Sequence, residues 1–167
     1  MIRGLVIRPV QNDDHAEIRA LVDAAFGGQA ESRLVDALRH DGDVVLELVA
    51  RHEGRLYGHV LFSRLRIDHD GQRHHAVALA PLCALPDRQR TGIGKALVEN
   101  AHAVLSQQGE RLSVVLGDAA YYGRFGYTHE RAAGFESNYQ GEHLQALAWG
   151  DAPSSGRLVY APAFARL

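Results

Sequence analysis

LPDRQRTGIGKAL, residues 85–97, decides how the chain is read. Gly92 and Gly94 stand one residue apart, with Arg88, Arg90 and Lys95 around them. An apolar run leads in and a long amphipathic run leads out, the pattern of a strand–loop–helix junction. A Walker A loop needs G-x-x-x-x-G-K-S/T. Here Ala96 follows Gly94-Lys95 and offers no hydroxyl, and Gln89 stands where the first glycine belongs. A dinucleotide fingerprint needs a third glycine where this chain has Leu97. Both motifs fail. What is left is a helix start with free N–H groups at the positive end of its dipole. Glycines there keep side chains out of the way, and the result suits a pyrophosphate. The plain alternative is a helix start that merely tolerates two glycines, at about 1 kcal/mol each.

Outward from this junction the periodicity changes several times. Residues 5–10 read as a short strand. Asp13 or Asp14 caps a helix in which Ile18, Leu21, Val22 and Ala25 recur at helical spacing, and Gly27-Gly28 ends it. A second helix spans roughly 30–39 and places Leu34, Val35 and Leu38 on one face. Runs at 44–52, 55–67 and 73–85 are punctuated by Glu53-Gly54 and Asp70-Gly71, a three-strand antiparallel meander. Pro81 inside the third run marks an edge or a bulge. A long helix from about 91 to 108 precedes LSVVLG, residues 112–117, a continuous apolar strand of the buried parallel kind. DAAYYGRF is a short helical turn, GYTHE begins another strand, and LQALAWG and RLVYAPAF read as two late strands. No repeat or linker interrupts the series, so residues 1–167 are expected to form one α/β domain.

Composition narrows the function classes. The formal net charge is -2, which argues against wholesale nucleic-acid binding. Cys83 is the single cysteine, which precludes an internal disulfide and fits a reducing, cytoplasmic setting. No apolar run approaches the roughly 20 residues needed to span a bilayer, and MIRGLVIRPV lacks the shape of a signal peptide. His69 and His74-His75 lie around a turn, but adjacent strand residues point to opposite faces, so no metal is expected there.

Gln89-Arg90-Thr91-Gly92-Ile93-Gly94 matches the Q/R-x-x-G-x-G/A signature of the GNAT-superfamily N-acetyltransferases, and LAPLCALPDRQRTGIGKALVENA resembles that superfamily's acetyl-CoA motif throughout. VLGDAAYYGRFGY is similar to the GD-x-x-YY-x-RFG-F/Y segment of the YhbS-like predicted acetyltransferases. The resemblance covers most of the chain, more weakly after about residue 140. It implies an α/β (α+β by some schemes) fold, a twisted, mostly antiparallel mixed sheet of about six or seven strands flanked by helices. It also implies acetyl-CoA as co-substrate, no metal, and direct acetyl transfer to a primary amine of a small molecule, peptide or protein. The alternative is a non-catalytic acyl-CoA sensor.

By that resemblance, the pyrophosphate would rest on the backbone of Gln89, Arg90, Thr91, Gly92, Ile93, Gly94 and Lys95. The pantetheine arm would add as a strand along Leu82, Cys83 and Ala84. Cys83 itself sits in an apolar run and reads as a small hydrophobe whose backbone matters more than its sulfur. Tyr122 falls at the Y-x-x-x-G-F/Y position, where the family carries the tyrosine that protonates the departing thiolate. Tyr121 is expected to point elsewhere. Gly117-Asp118 stands where many members carry Asn, a departure at a pantetheine contact. No base for the amine is fixed; Glu31 and Glu47 are candidates, and a water chain is another route.

Overall fold

In a computed structural model, residues 2–167 are described. Strand β1 (Val6–Pro9) leads through a 3₁₀ turn into α1 (His15–Phe26) and α2 (Ala30–Asp41). The meander follows as β2 (Val44–His52), β3 (Arg55–His69) and β4 (Gln72–Ala84). Helix α3 (Ile93–Gln107), strand β5 (Leu112–Leu116) and the short helices α4 (Ala119–Tyr122) and α5 (His129–Ala132) come next. The chain ends on β6 (Phe135–Glu136), β7 (Leu144–Ala148), β8 (Gly156–Val159) and a 3₁₀ turn at Pro162–Arg166.

The strands form one mixed sheet of eight in the order β1-β2-β3-β4-β5-β7, with β8 alongside β3 and β6. All pairs are antiparallel except β4–β5 and β6–β8. The 15-residue β3 is long enough to take two partners along one edge, β2 first and then β8. Two readings of the sequence are corrected. Thr128 makes only an isolated bridge to Ala146 before its side chain caps α5, so GYTHE turns into a helix and not a strand. RLVYAPAF is a strand only through Val159, because Pro162 starts a 3₁₀ turn. The two-residue β6 raises the strand count above the expected number.

The sheet buries both faces, as its long apolar strands require. On one face α3 lays Ile93, Leu97, Val98, Ala101 and Leu105 against Leu48, Val60, Phe62, Val77 and Val115. On the other, α1 packs Ile18, Leu21 and Val22 on Val49, Leu56 and Cys83, while α2 sets Leu34, Val35 and Leu38 near Leu61. Each large apolar side chain buried in this way contributes about 1.5–3 kcal/mol. Asp14 fixes the entry to α1: it pairs with Arg8 and Arg51 at 2.7 and 2.8 Å. The hydrogen bond from Arg8 chiefly holds its carboxyl well below the usual carboxylate range, against the opposing effect of burial.

The feature that positions the site is a fork. Strands β4 and β5 pair only through Val77–Leu79 and Ser113–Val115. Beyond that, β4 continues beside β3 to Ala84, and β5 continues beside β7 to Leu116. On β4 one extra residue is taken up between Leu79 and Leu82, opposite Phe62 and Val60, so Ala80-Pro81 forms a bulge at the opening.

Helix α3 packs tightly on β3 at Gly58. A Cβ there would lie 2.6 Å from Ile93 Cγ2, 2.9 Å from Leu97 Cδ1 and 3.2 Å from the Cys83 carbonyl. Gly58→Val is expected to destabilise the fold by about 1–3 kcal/mol through overpacking. Urea unfolding would read this as a lower midpoint at unchanged slope; an unchanged midpoint would contradict this seating of α3.

Candidate active site

The loop between β4 and α3 is built for close approach. Gly92 takes φ 88°, a left-handed conformation that favours glycine, and directly precedes the helix. Ala96 donates to the Gly92 carbonyl, so the first helical bond starts there. The N–H groups of Ile93, Gly94 and Lys95 have no acceptor among the described residues. Above them lies a groove of about 470 Å³ lined by Arg90, Thr91, Gly92, Lys95, Ala96 and Glu99. Gln89 is extended and closes the preceding turn. Ile93 is buried in the core, leaving only its backbone to the groove. The Arg88 guanidinium lies over the Tyr57 ring at 5.4 Å rather than joining the lining.

Strand, loop and aromatic turn meet at Gly94. A Cβ added there would collide with the Tyr121 hydroxyl and touch Leu82 Cδ2 at 4.0 Å. Leu82, Cys83 and Ala84 form the stretch of β4 beyond the fork, paired with β3 at Val60, His59 and Gly58. The Cys83 side chain turns to the α1 face, where burial pushes its thiol up to about 12, so it is not a nucleophile. The Tyr121 hydroxyl sits against the helix start, a contact the sequence does not announce. Its only sequence signal was adjacency to Tyr122.

Tyr122 lies one turn from the end of β5. Its ring covers Gly117, where a Cβ would be 2.6 Å from Cε2, so a larger residue would displace the phenol. Tyr121 and Tyr127 meet the same ring edge-on at 5.0 and 5.9 Å. Burial first, and Tyr121 second, raise the Tyr122 phenol well above its ordinary range, so it stays protonated and able to donate. Asp118 accepts from the Ala120 N–H at 3.0 Å and so caps the turn that carries both tyrosines.

Beneath Tyr122 runs a buried polar line. Tyr127 Oη lies 2.8 Å from Ser113 Oγ and 2.9 Å from His102 Nε2. Burial lowers the His102 pKa to about 4 and raises that of Tyr127, so both are neutral near pH 7. With His102 Nε2 unprotonated, Tyr127 donates to it and accepts from Ser113; with Nε2 protonated, the line runs the other way. His102 is also enclosed by the rings of Phe62, Phe125 and Trp149.

The two candidate bases differ sharply. Glu47 Oε2 is 2.6 Å from His59 Nε2, and Glu47 also accepts from Arg39 Nε at 3.0 Å. Burial works to raise its carboxyl, but the bonds from His59 and Arg39 outweigh it and the net shift is downward. Glu31, in the first turn of α2, keeps a buried Oε2 with no partner among the described residues. Among the described residues no group of three His, Cys, Asp or Glu could hold a metal ion, and no helix is long and apolar enough to cross a membrane.

Residues 6–129 match the Acetyltransferase (GNAT) domain family. The uncharacterized N-acetyltransferase YjhQ of Escherichia coli K12 is 35% identical over 116 residues, 68% of this chain. That match takes in 64% of YjhQ, so the chain spans just under two thirds of that relative's length. The uncharacterized N-acetyltransferase YhbS of the same organism is 37% identical over 115 residues, 68% of each chain. Among solved structures, E. coli YhbS in complex with CoA superposes with TM-score 0.89 at 29% identity, over 99% of this chain and 94% of that one. A GNAT acetyltransferase from Brucella melitensis in complex with acetyl-CoA gives 0.82 at 35% identity, over 98% and 99%.

Independently of these likenesses, the His102 imidazole sets a pH window for stability. Unfolded, it titrates near its ordinary 6.5; folded, near 4. Between these values the unfolded chain binds a proton that the native chain refuses, so stability present above 6.5 drains away as the pH falls towards 4. The loss is at most about 3 kcal/mol. Urea unfolding at stepped pH should show a shallower slope across this window in His102→Phe than in the parent; equal slopes would contradict the assignment.

Proposed function

The chain belongs to the GNAT acetyltransferase family, and we propose from that premise that it transfers an acetyl group from acetyl-CoA directly to a primary amine. Residues 1–167 would act as one N-acetyltransferase domain. The observation that carries the reading is the convergence of three separate segments: the open amides at the start of α3, the free edge of β4 beyond the fork, and the Tyr122 phenol beside Gly117.

These residues fit the proposed co-substrate. The amides of Ile93, Gly94 and Lys95, with Arg90 and Lys95 on the groove wall, suit a diphosphate. Leu82, Cys83 and Ala84 lie past the last β4–β5 pair, where an extended pantetheine arm can add as a strand. Such a donor brings an acetyl group activated as a thioester. In the transfer, a carbon–nitrogen bond forms to the amine and the carbon–sulfur bond breaks. Tyr122 gives its phenolic proton to the departing thiolate and is reprotonated from solvent. Glu31 is the better of the two candidate bases for the amine proton, because Glu47 is committed to Arg39 and His59. Binding both reactants at one fork supplies the proximity that direct transfer needs.

Tyr122→Phe should lower kcat by about a hundredfold or more, the lower end of the range for losing one general acid, while the acetyl-CoA Kd stays within about twofold. Thiol release against an amine panel and titration calorimetry would measure the two quantities. Unchanged turnover would remove Tyr122 from the chemistry, and turnover absent from the parent with every amine would favour a CoA sensor. Gly94→Val places a branched side chain where the Tyr121 hydroxyl now sits. It should weaken acetyl-CoA binding by about tenfold or more, equivalent to roughly 1.4 kcal/mol; unaltered affinity would argue against a diphosphate at this turn.

A further inference from the structure

The fork opens into an apolar cleft of about 200 Å³ that constrains the acceptor. Its walls include Leu34 of α2, Ala80 of β4, Leu116 of β5 and the rings of Tyr139, Tyr160 and Phe164. Ala80 and Leu116 are the first residues past the last β4–β5 pair, so the cleft begins where the reactants would meet. The three aromatic rings form a continuous wall, Tyr139 to Tyr160 at 5.1 Å and Tyr160 to Phe164 at 5.4 Å. Burial pushes the Tyr160 phenol up to about 12, so its ring stays uncharged. Among the described residues, none that lines the cleft is Asp, Glu, His, Lys or Arg. Leu116 nonetheless leaves 52% of its surface exposed there.

The same aromatic wall also borders a neighbouring hollow of about 570 Å³, which Glu136, Asn138 and Arg157 help to line. That hollow shares no residue with the groove above Arg90 and Lys95. The hollow and the cofactor groove are thus separate depressions, and a second substrate need not enter through the groove.

We propose that the acceptor is a primary amine carried on a compact apolar body, aromatic or branched aliphatic, seated against Leu34, Leu116 and Phe164. The inference rests on the acetyl-transfer reading and names the acceptor class for it. A cleft of this size holds the volume of about six or seven waters, comparable to a phenyl ring on a short arm. Burying such a body against Leu116 removes apolar surface from water. A polyamine or an amino sugar would instead strand additional charges or hydroxyls in a lining that has no acid or base to answer them.

The test uses the full chain with saturating acetyl-CoA and follows thiol release with phenethylamine, isoamylamine, spermidine and glucosamine. The kcat/KM for phenethylamine should exceed that for spermidine and for glucosamine by about tenfold or more. Phe164→Ala should raise the phenethylamine KM several-fold and leave the acetyl-CoA KM unchanged. Equal or better use of spermidine or glucosamine, or a phenethylamine KM indifferent to Phe164→Ala, would overturn the assignment while leaving acetyl transfer intact. Calorimetry of phenethylamine into the CoA-loaded chain separates the two readings. Binding that depends on Phe164 with no thiol release from any amine would sink the transferase reading and keep the cleft, whereas no binding and no release would sink both.

Discussion

The structure turns on a sheet that comes apart in its middle. After Leu79 and Val115, β4 and β5 each keep one hydrogen-bonded neighbour and lose the other. Backbone donors and acceptors on an opened inner edge must be answered by something, because unpaired main-chain groups are costly away from water. The bulge at Ala80-Pro81 supplies the local reason for the opening: an extra residue in β4 breaks the ladder register and removes one donor. Beyond the last β4–β5 pair, β4 has no partner on the β5 side, which leaves an inner edge where a strand is missing. The start of α3 stands over one end of the gap, and the apolar cleft begins at its apex.

Around this gap, glycines and tyrosines occur in matched pairs. Gly94 accommodates the Tyr121 hydroxyl, and Gly117 accommodates the Tyr122 ring. Each glycine lets an aromatic group approach the main chain more closely than any side chain would allow. The two rings then lock edge-to-face at an interplanar angle of 84°. Tyr127 supports Tyr122 from below, and Ser113 and His102 pin Tyr127 in turn. A phenol held in this way loses little freedom on meeting a ligand, and in such a site that rigidity is what makes proximity effective.

Much of this was legible in the sequence, and the reasons for the rest are specific. The meander, α3 and β5 announce themselves through period and punctuation, because each has a face that must be buried. The bulge could be suspected from Pro81 alone. Thr128 misled because a residue that caps a helix also suits a strand end, and only the contact with Ala146 reveals how brief the pairing is. Strand β6 is two residues long and has no period to read. The Tyr121 contact with Gly94 joins positions far apart in the chain, which no local pattern encodes. The cleft gathers Leu34, Leu116, Tyr139, Tyr160 and Phe164 from five segments, and each alone looks like core.

Three acids in similar company have been given different tasks by their partners. Asp14 is held by two guanidiniums, and its charge serves to fix the entry to α1. Glu47 is bound by Arg39 and a fully buried His59; it is lowered below its ordinary range and would give up two strong contacts to accept a proton. A carboxylate so well satisfied is a poor base, since every bond that stabilises its charged form also makes protonation costly. Glu31 has one buried oxygen that nothing in the described chain satisfies, and it lies one helical turn before Leu34 on the cleft wall. An unsatisfied buried acceptor is a standing cost to the free protein. In the proposed transfer, a proton passed to that oxygen would relieve the cost, and it would do so from outside the cleft lining, which holds no carboxylate of its own among the described residues.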